Sequence, residues 1–178
     1  IHRGSGPAPP GRLQRMTKDL FLRRKWTLRA HGQKVVFVKR SNERREHVLM
    51  KAFLWALYLP AYPGRLVEVP VGDRYKPDLV SLDARGEPRF WGEAGHVSPG
   101  KVRSLVRRYR RTHFALAKWD TELAPFVGWV EEAVERYGRQ APFDLIRFPA
   151  NGAERFVDEG GEIRLRHDDV DWVRIDGS

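Results

Sequence analysis

The sequence predicts an α/β (α+β) domain with a mixed central sheet that is flanked by helices. From residue 43 to residue 118 the apolar patterns are typical of a helix, three strands, a second helix and a further strand, in that order. A short turn at residues 84–87 joins two of these strands into a hairpin, whereas a helix links the later strands. Hairpin strands beside helix-connected strands predict a mixed sheet. At 178 residues with 41% hydrophobic content, the chain is long enough for one domain with a proper core.

Residues 1–15 contain glycine, proline and arginine with little apolar content, which predicts a flexible leader or an expression remnant. Met16 is then the candidate native start, and residues 16–178 form the single domain, with a core at about 43–118. The apolar runs at 19–31 and 34–39 predict an N-terminal β-hairpin with its turn at His31-Gly32-Gln33.

The first helix of the core is expected to begin at Ser41 or Asn42, which can cap its free amides, and to end near Leu59. From residue 48 to residue 59 only Lys51 is charged, so this helix should be buried on several sides. Pro60 follows at once and ends the helix.

The remaining elements are predicted from apolar runs and capping residues. Residues 65–69, 77–82 and 89–94 are expected strands, and Ser98 with Pro99 begins a second helix. Further predictions are a strand at 112–117, a third helix from Asp120 to Tyr137, strands at 143–148, 155–157 and 163–165, and an acidic surface segment at 168–171.

Charge is distributed unevenly along the chain. Of the 33 lysines and arginines, 26 precede residue 119, against 9 of the 23 acids. This asymmetry favours nucleic acid as the partner of the first two-thirds, although generally charged surfaces are the alternative. The acidic C-terminal region also suggests a possible homodimer, in which it docks on the basic half of a second copy. No apolar stretch is long enough to span a membrane, and the absence of cysteine fits a cytoplasmic location.

Two acids, Asp78 and Glu93, lie on the predicted strands of the central hairpin. With an even loop centred on Arg85-Gly86, residue 78 faces residue 93, and opposed residues have Cβ atoms roughly 4.5–5.5 Å apart. The same register places Lys76 opposite Gly95. An odd loop, with Gly86 as a left-handed bulge residue, would instead send the two acids to opposite faces.

Two carboxylates this close repel each other unless a positive charge lies between them, and Mg²⁺ or Mn²⁺ is the expected ion because hard cations take oxygen ligands. The alternative is structural. Asp78 follows Pro77 at a strand entrance, where a turn-forming aspartate is common, and Glu93 would then pair with Arg74 or Arg89.

The order of elements and the acids at its centre resemble the PD-(D/E)XK nuclease superfamily, through Pro77-Asp78 and Glu93-Ala94-Gly95. Within it the chain looks most like the YaeQ-like proteins, through the stretches EHVLMKAFLW from Glu46 and WGEAGH from Trp91. The resemblance implies a restriction-endonuclease-like core with extra N- and C-terminal strands. It also implies a metal-dependent nuclease-like activity on phosphodiester bonds, or a lapsed site that binds nucleic acid or a protein.

The resemblance further implies metal ligands at Asp78, Glu93, the Ala94 carbonyl and Glu46. The superfamily pattern places a lysine two residues after the second acid, where this chain has Gly95. Lys101 and Lys76 are the candidate replacements. On the second helix, Arg103, Arg107, Arg110 and Arg111 are candidate phosphate contacts, with a solvated helix face as the alternative.

Overall fold

A six-stranded mixed sheet forms the centre of the computed structural model, which describes residues 20–64, 66–67 and 69–177. Its strand order is β3-β4-β5-β6-β7-β8. Strands β3 to β5 pair antiparallel, β5 to β7 pair parallel, and β8 is antiparallel to β7. The predicted mixed sheet is therefore confirmed. The strands are β3 Leu66–Val67, β4 Leu79–Leu82, β5 Pro88–Ala94, β6 His113–Trp119, β7 Phe143–Phe148 and β8 Asp171–Ile175.

Side chains alternate between two hydrophobic cores, one on each face of the sheet. On β5, Phe90 belongs to the first core and Trp91 to the second. The first core packs against helix α1, Arg45–Tyr58, and the second against α2, Pro99–Arg108, and α3, Ala124–Tyr137. The sheet is thus covered by helices on both faces, as predicted. None of the helices in the described part of the chain is long and apolar enough to cross a bilayer.

Helix α1 is buried along nearly its whole length, from Val48 to Tyr58. It lies between the central sheet and a separate two-stranded hairpin, β1 Lys25–Ala30 and β2 Gln33–Val38. This double cover explains why the helix is apolar on nearly every side. The predicted N-terminal hairpin is confirmed, whereas the predicted leader at 1–15 lies outside the described residues.

The predicted cap of α1 is wrong. The helix begins after Arg44, which makes no side-chain cap hydrogen bond, while residues 41–43 form a turn and a bend. Helix α2, by contrast, begins as predicted, because Ser98 Oγ accepts a hydrogen bond from the Lys101 amide at 3.2 Å and Pro99 occupies the first turn.

Two predictions in the C-terminal third are wrong. Asp120 does not cap α3; it has a φ of +44° and precedes the helix by four residues. Residues 152–156 form a short helix, α4 Gly152–Phe156, and a single bridge between Val157 and Ile163 is what remains of the predicted strand pair. The predicted acidic surface segment at 168–171 is confirmed, because its three aspartates are exposed. It overlaps a 3-10 turn at 167–169 and the first residue of β8, a strand that the sequence did not indicate.

Candidate functional site

The hairpin β4–β5 places Asp78 opposite Glu93 by a route that the sequence did not predict. The loop is odd, because Leu82 pairs with Pro88, and Gly86 has the left-handed φ of +81°. A register shift between residues 81 and 82 then restores the even pairing, so that Leu79 faces Gly92. Continued by one residue, this register places residue 78 opposite residue 93, as the even loop predicted. The loop itself is the odd alternative with a left-handed Gly86, and the register shift reverses the expectation that such a loop sends the acids to opposite faces.

Asp78 immediately precedes β4 and is tied to the end of β5 through both its backbone and its side chain. Its amide donates to the Gly92 carbonyl at 3.1 Å, and its Oδ2 accepts from the Ala94 amide at 2.9 Å. Its other oxygen, Oδ1, lies 3.6 Å from His47 Nε2 on α1. The side chain keeps a fifth of its surface exposed, so one edge of the carboxylate faces solvent.

Glu93 is buried on the α2 side of the sheet, and both of its oxygens have partners. Oε1 accepts from Trp91 Nε1 at 2.7 Å, and Oε2 accepts from Lys101 Nζ at 2.9 Å. Burial, followed by the charge of Asp78, raises the pKa of Glu93 above its usual range, although Lys101 and Trp91 oppose this shift. The two carboxylates are thus electrostatically coupled. The alternative pairing with arginine is wrong, because Lys101 is the partner.

A cleft of about 910 Å³ opens beside Asp78 at the carboxyl ends of β5 and β6. Its walls carry four basic side chains, three acidic side chains and two histidines. The cations are Arg40, Arg44, Lys76 and Lys118; the acids are Glu43, Glu46 and Asp78; the histidines are His47 and His96. A cleft of this size accommodates a small ligand or part of a chain.

His47 is a cleft residue that sequence reasoning set aside. Its Nδ1 lies 2.7 Å from Glu43 Oε1, which also binds the buried Lys51 Nζ at 2.7 Å. Asp78, and to a lesser extent Glu43, raises the pKa of His47 above its usual range against the effect of burial. The signal was present in the sequence, since Glu43 and His47 are four residues apart and share one face of a helix start.

Lys118 is the second cleft residue that the sequence did not indicate. It lies near the end of β6, and its Nζ donates at 2.7 Å to the carbonyl of Gly95, the residue that follows β5. Because Gly95 has a φ of +86°, a side chain at this position would be strained. The left-handed backbone therefore disfavours at position 95 the lysine that the resemblance led us to expect there.

The other predicted site residues are placed as follows. Lys101 reaches the acids, whereas Lys76 is exposed on the wall of the cleft, and Glu46 lines the same cleft. Ala94 supplies the amide that binds Asp78. Among the residues that the structure describes, no three histidine or acidic side chains converge as a ready metal site.

The predicted arginines of α2 differ in their surroundings. Arg103 and Arg107 are exposed and lie four residues apart on one face of α2. The prediction that Arg110 and Arg111 belong to the helix is wrong, because α2 ends at Arg108 and both lie exposed in the turn that follows. Arg111 is exposed but its Nε donates to Gln140 Oε1 at 3.0 Å. Their neighbour Arg108 differs from all four because it forms an ion pair with Asp73.

Fold and site together define a sheet-and-helix domain with a carboxylate-bearing hairpin beside a basic cleft. Two solved structures share this fold. The YaeQ protein from Xanthomonas axonopodis pv. citri is 15% identical with a TM-score of 0.53, over 80% of this chain and 82% of that one. The YaeQ protein from Pseudomonas syringae is 16% identical with a TM-score of 0.52, over 71% of this chain and 66% of that one. No protein-family model matches the sequence, and no curated protein matches it.

The predicted similarity to YaeQ proteins is therefore confirmed for the fold. Identities of 15% and 16% carry no information about activity, so the function has to be argued from the residues of this chain.

Proposed function

We propose that this protein is a metal-dependent nuclease-like phosphodiesterase of the PD-(D/E)XK type that acts on nucleic acid, DNA or RNA. The observation that carries the proposal is the opposition of Asp78 and Glu93 at the end of a hairpin, beside a cleft with four basic side chains. Basic walls attract a phosphate backbone, and paired carboxylates attract the dication that such a backbone needs for hydrolysis.

The donor set suits Mg²⁺ or Mn²⁺, because the groups that face the cleft and its margin offer mainly oxygen. Asp78 and Glu93 would hold the ion with the Ala94 carbonyl, and Glu46 would add a ligand. Such an ion lowers the pKa of a bound water and stabilises charge on a phosphate oxygen. Because both oxygens of Glu93 already have donors, the ion would compete with Lys101 for Oε2.

The protein's own residues supply orientation and charge. The Ala94 amide fixes the rotamer of Asp78, and Trp91 fixes that of Glu93. Of the two lysines proposed to place the attacking water, Lys101 is better located, because its ammonium already contacts a carboxylate of the pair. Lys76 is exposed and is better suited to bind the phosphate backbone along the cleft wall.

A second candidate function is binding of nucleic acid, or of a protein partner, without hydrolysis. It is favoured by one contact: Lys101 already neutralises Glu93, which reduces the need for a metal ion between the two acids. In this case the basic cleft would still bind phosphate groups. The two functions differ in whether a divalent cation changes the outcome.

The experiment compares wild type with Asp78→Asn in Mg²⁺, Mn²⁺ and EDTA, on plasmid, single-stranded DNA and RNA. Asparagine keeps an oxygen acceptor for the Ala94 amide but loses the charge. We expect metal-dependent cleavage by wild type and almost none by Asp78→Asn. Asp83→Asn is the matched control, because it removes one charge from the same hairpin at the turn, where Asp83 Oδ1 accepts from the amides of Arg85 and Glu87.

Cleavage that survives in Asp78→Asn, or that is lost equally in Asp83→Asn, contradicts the proposed site. Binding of an oligonucleotide by wild type with no cleavage in any metal supports the second function. A cytoplasmic location and a homodimer stay predictions.

A further inference from the structure

Lys118 is a buried cation of the cleft to which the proposed function gives no individual role. Its side chain comes from the end of β6, lines the cleft, and leaves only 9% of the residue exposed. Its Nζ contacts the Gly95 carbonyl at 2.7 Å and lies 4.4 Å from the centre of the Phe126 ring. Both contacts are with groups that carry no net charge.

Comparison with two other lysines near the site shows what Lys118 lacks. Lys51 is buried and pairs with Glu43, and Lys101 is partly buried and pairs with Glu93. Within the described part of the chain, no carboxylate lies at ion-pair distance from Lys118 Nζ. Burial of an unpaired ammonium is costly, and accordingly desolvation lowers the pKa of Lys118 below its usual range.

An ammonium group has three donors, and one of them is used on Gly95. The exposed His96 and Thr121 line the same cleft as Lys118, so its open side is polar. Gly95 adds no side chain that would shield the ammonium. An anion is the ligand that satisfies such a group best, because a charge-assisted hydrogen bond is stronger than a neutral one.

The location of Lys118 indicates which anion. Its partner Gly95 directly follows Ala94, whose amide holds Asp78 Oδ2. An anion on Lys118 would therefore lie close to the opposed acids, where the proposed function requires the phosphodiester. A carboxylate and a phosphodiester each carry one negative charge and would gain equally from Lys118. The phosphodiester is the anion expected there because the proposed function takes nucleic acid as the ligand.

We infer that Lys118 binds a non-bridging oxygen of the phosphodiester group in the cleft and so positions the nucleic acid against Asp78 and Glu93. The inference rests on the proposed function, since it takes nucleic acid as the ligand. It names the lysine on β6, rather than Lys76 or Lys101, as the main phosphate contact at the acids.

The test is binding of a short fluorescein-labelled single-stranded DNA in EDTA, followed by anisotropy over a series of salt concentrations. Lys118→Met should raise Kd by roughly tenfold, the loss of one charge-assisted hydrogen bond. It should also lower the slope of log K against log salt by about 0.7, the value for one contact to a single strand. Lys34→Met on β2, an exposed lysine that does not line the cleft, is the charge-matched control and should change both quantities much less.

Lys118→Gln is the second variant, because its amide N–H still donates to the Gly95 carbonyl while the charge is lost. If Lys118 is only structural, both variants lower Tm but keep the wild-type Kd and salt slope, and this result overturns the inference. Weaker binding by both variants together with no cleavage by wild type in Mn²⁺ supports the inference and contradicts the hydrolytic proposal alone. A wild-type protein that does not bind DNA at low salt overturns both.

Discussion

Lys101 Nζ on α2 lies 2.9 Å from Glu93 Oε2 on β5, so the second acid of the pair is neutralised by a lysine from the helix that follows it. The contact links helix α2, which has a solvent-exposed face, to Glu93, the most buried carboxylate of the site. It also places a positive charge within the site. Replacing Lys101 removes that charge, so that the structural role of Glu93 and its proposed role in metal binding can be measured separately.

Lys101→Met should therefore destabilise the protein. Glu93 would remain buried beside Asp78 without its ammonium partner, and we expect the free energy of unfolding at neutral pH to fall by about 1–3 kcal/mol. Urea titration measures this loss. The double variant Lys101→Met/Glu93→Gln is the control, since glutamine removes the buried charge and should recover part of the loss.

The single variant Lys101→Met also tests whether a metal ion binds Glu93. If a dication competes with Lys101 for Glu93, then Mn²⁺ should raise the Tm of Lys101→Met more than that of wild type. Equal shifts in Tm for the two proteins would contradict competition at this carboxylate.

The left-handed backbone at Gly95 should exclude other residues. Gly95→Ala is expected to cost about 1–2 kcal/mol, because φ is +86°. The new Cβ would make only ordinary contact, 3.5 Å from His47 Cδ2. Gly128→Ala is the matched control: Gly128 is an exposed residue within α3, and its Cβ would meet nothing within 4 Å. That change should stabilise the protein by about 0.5–1 kcal/mol. Thermal or urea unfolding of both variants distinguishes backbone strain from a general effect of alanine.

Asp144 on β7 should make the protein sensitive to acid. Burial alone would raise its pKa, but hydrogen bonds from His113, Arg174 and Tyr58 prevail and lower the pKa to about 2. Since the folded-state pKa lies below the ordinary value of 3.8, the stabilisation is present above about pH 4 and is lost as pH falls towards 2. The amount is on the order of 2 kcal/mol.

Urea unfolding between pH 5 and pH 2 measures this loss (roughly the range over which such a carboxyl titrates). Asp144→Asn should be less stable than wild type at neutral pH, because Arg174 and His113 lose their anionic partner, and its stability should fall less between pH 4 and pH 2. If the free energy of unfolding of wild type falls between pH 4 and pH 2 as little as that of Asp144→Asn, the assignment to Asp144 is contradicted.

Two adjacent arginines on α2 should differ in their effects. Arg107 is exposed, whereas Arg108 pairs with Asp73. If the exposed arginines bind phosphate, Arg107→Ala should weaken DNA binding and lower the salt slope by about 0.9 on duplex DNA, with little change in Tm. Arg108→Ala should instead lower Tm with a smaller change in the salt slope. Anisotropy and thermal melting of the same two proteins decide between a phosphate contact and a solvated face.

Local patterns in the sequence determined much of the fold. The apolar run from Val48 to Leu59 predicted a helix buried on several sides, and Ser98-Pro99 predicted the start of α2. These features depend on neighbouring residues alone, through periodicity and capping. Local patterns failed at the start of α1, where the cap position is Arg44, two residues after the candidate cap Asn42. They also failed at β8, a strand that forms by pairing with β7.

The amino-acid sequence by itself placed the two acids on the adjoining strands of a hairpin and left two registers open, one of which makes them face each other. Only the tertiary structure decided how that pairing arises, through an odd loop corrected by a register shift, and what surrounds the pair. His47 and Lys118 reach the site from elements that are distant in sequence, one before the hairpin and one after it. Contacts of this kind depend on how helices and strands pack, and sequence spacing does not encode them.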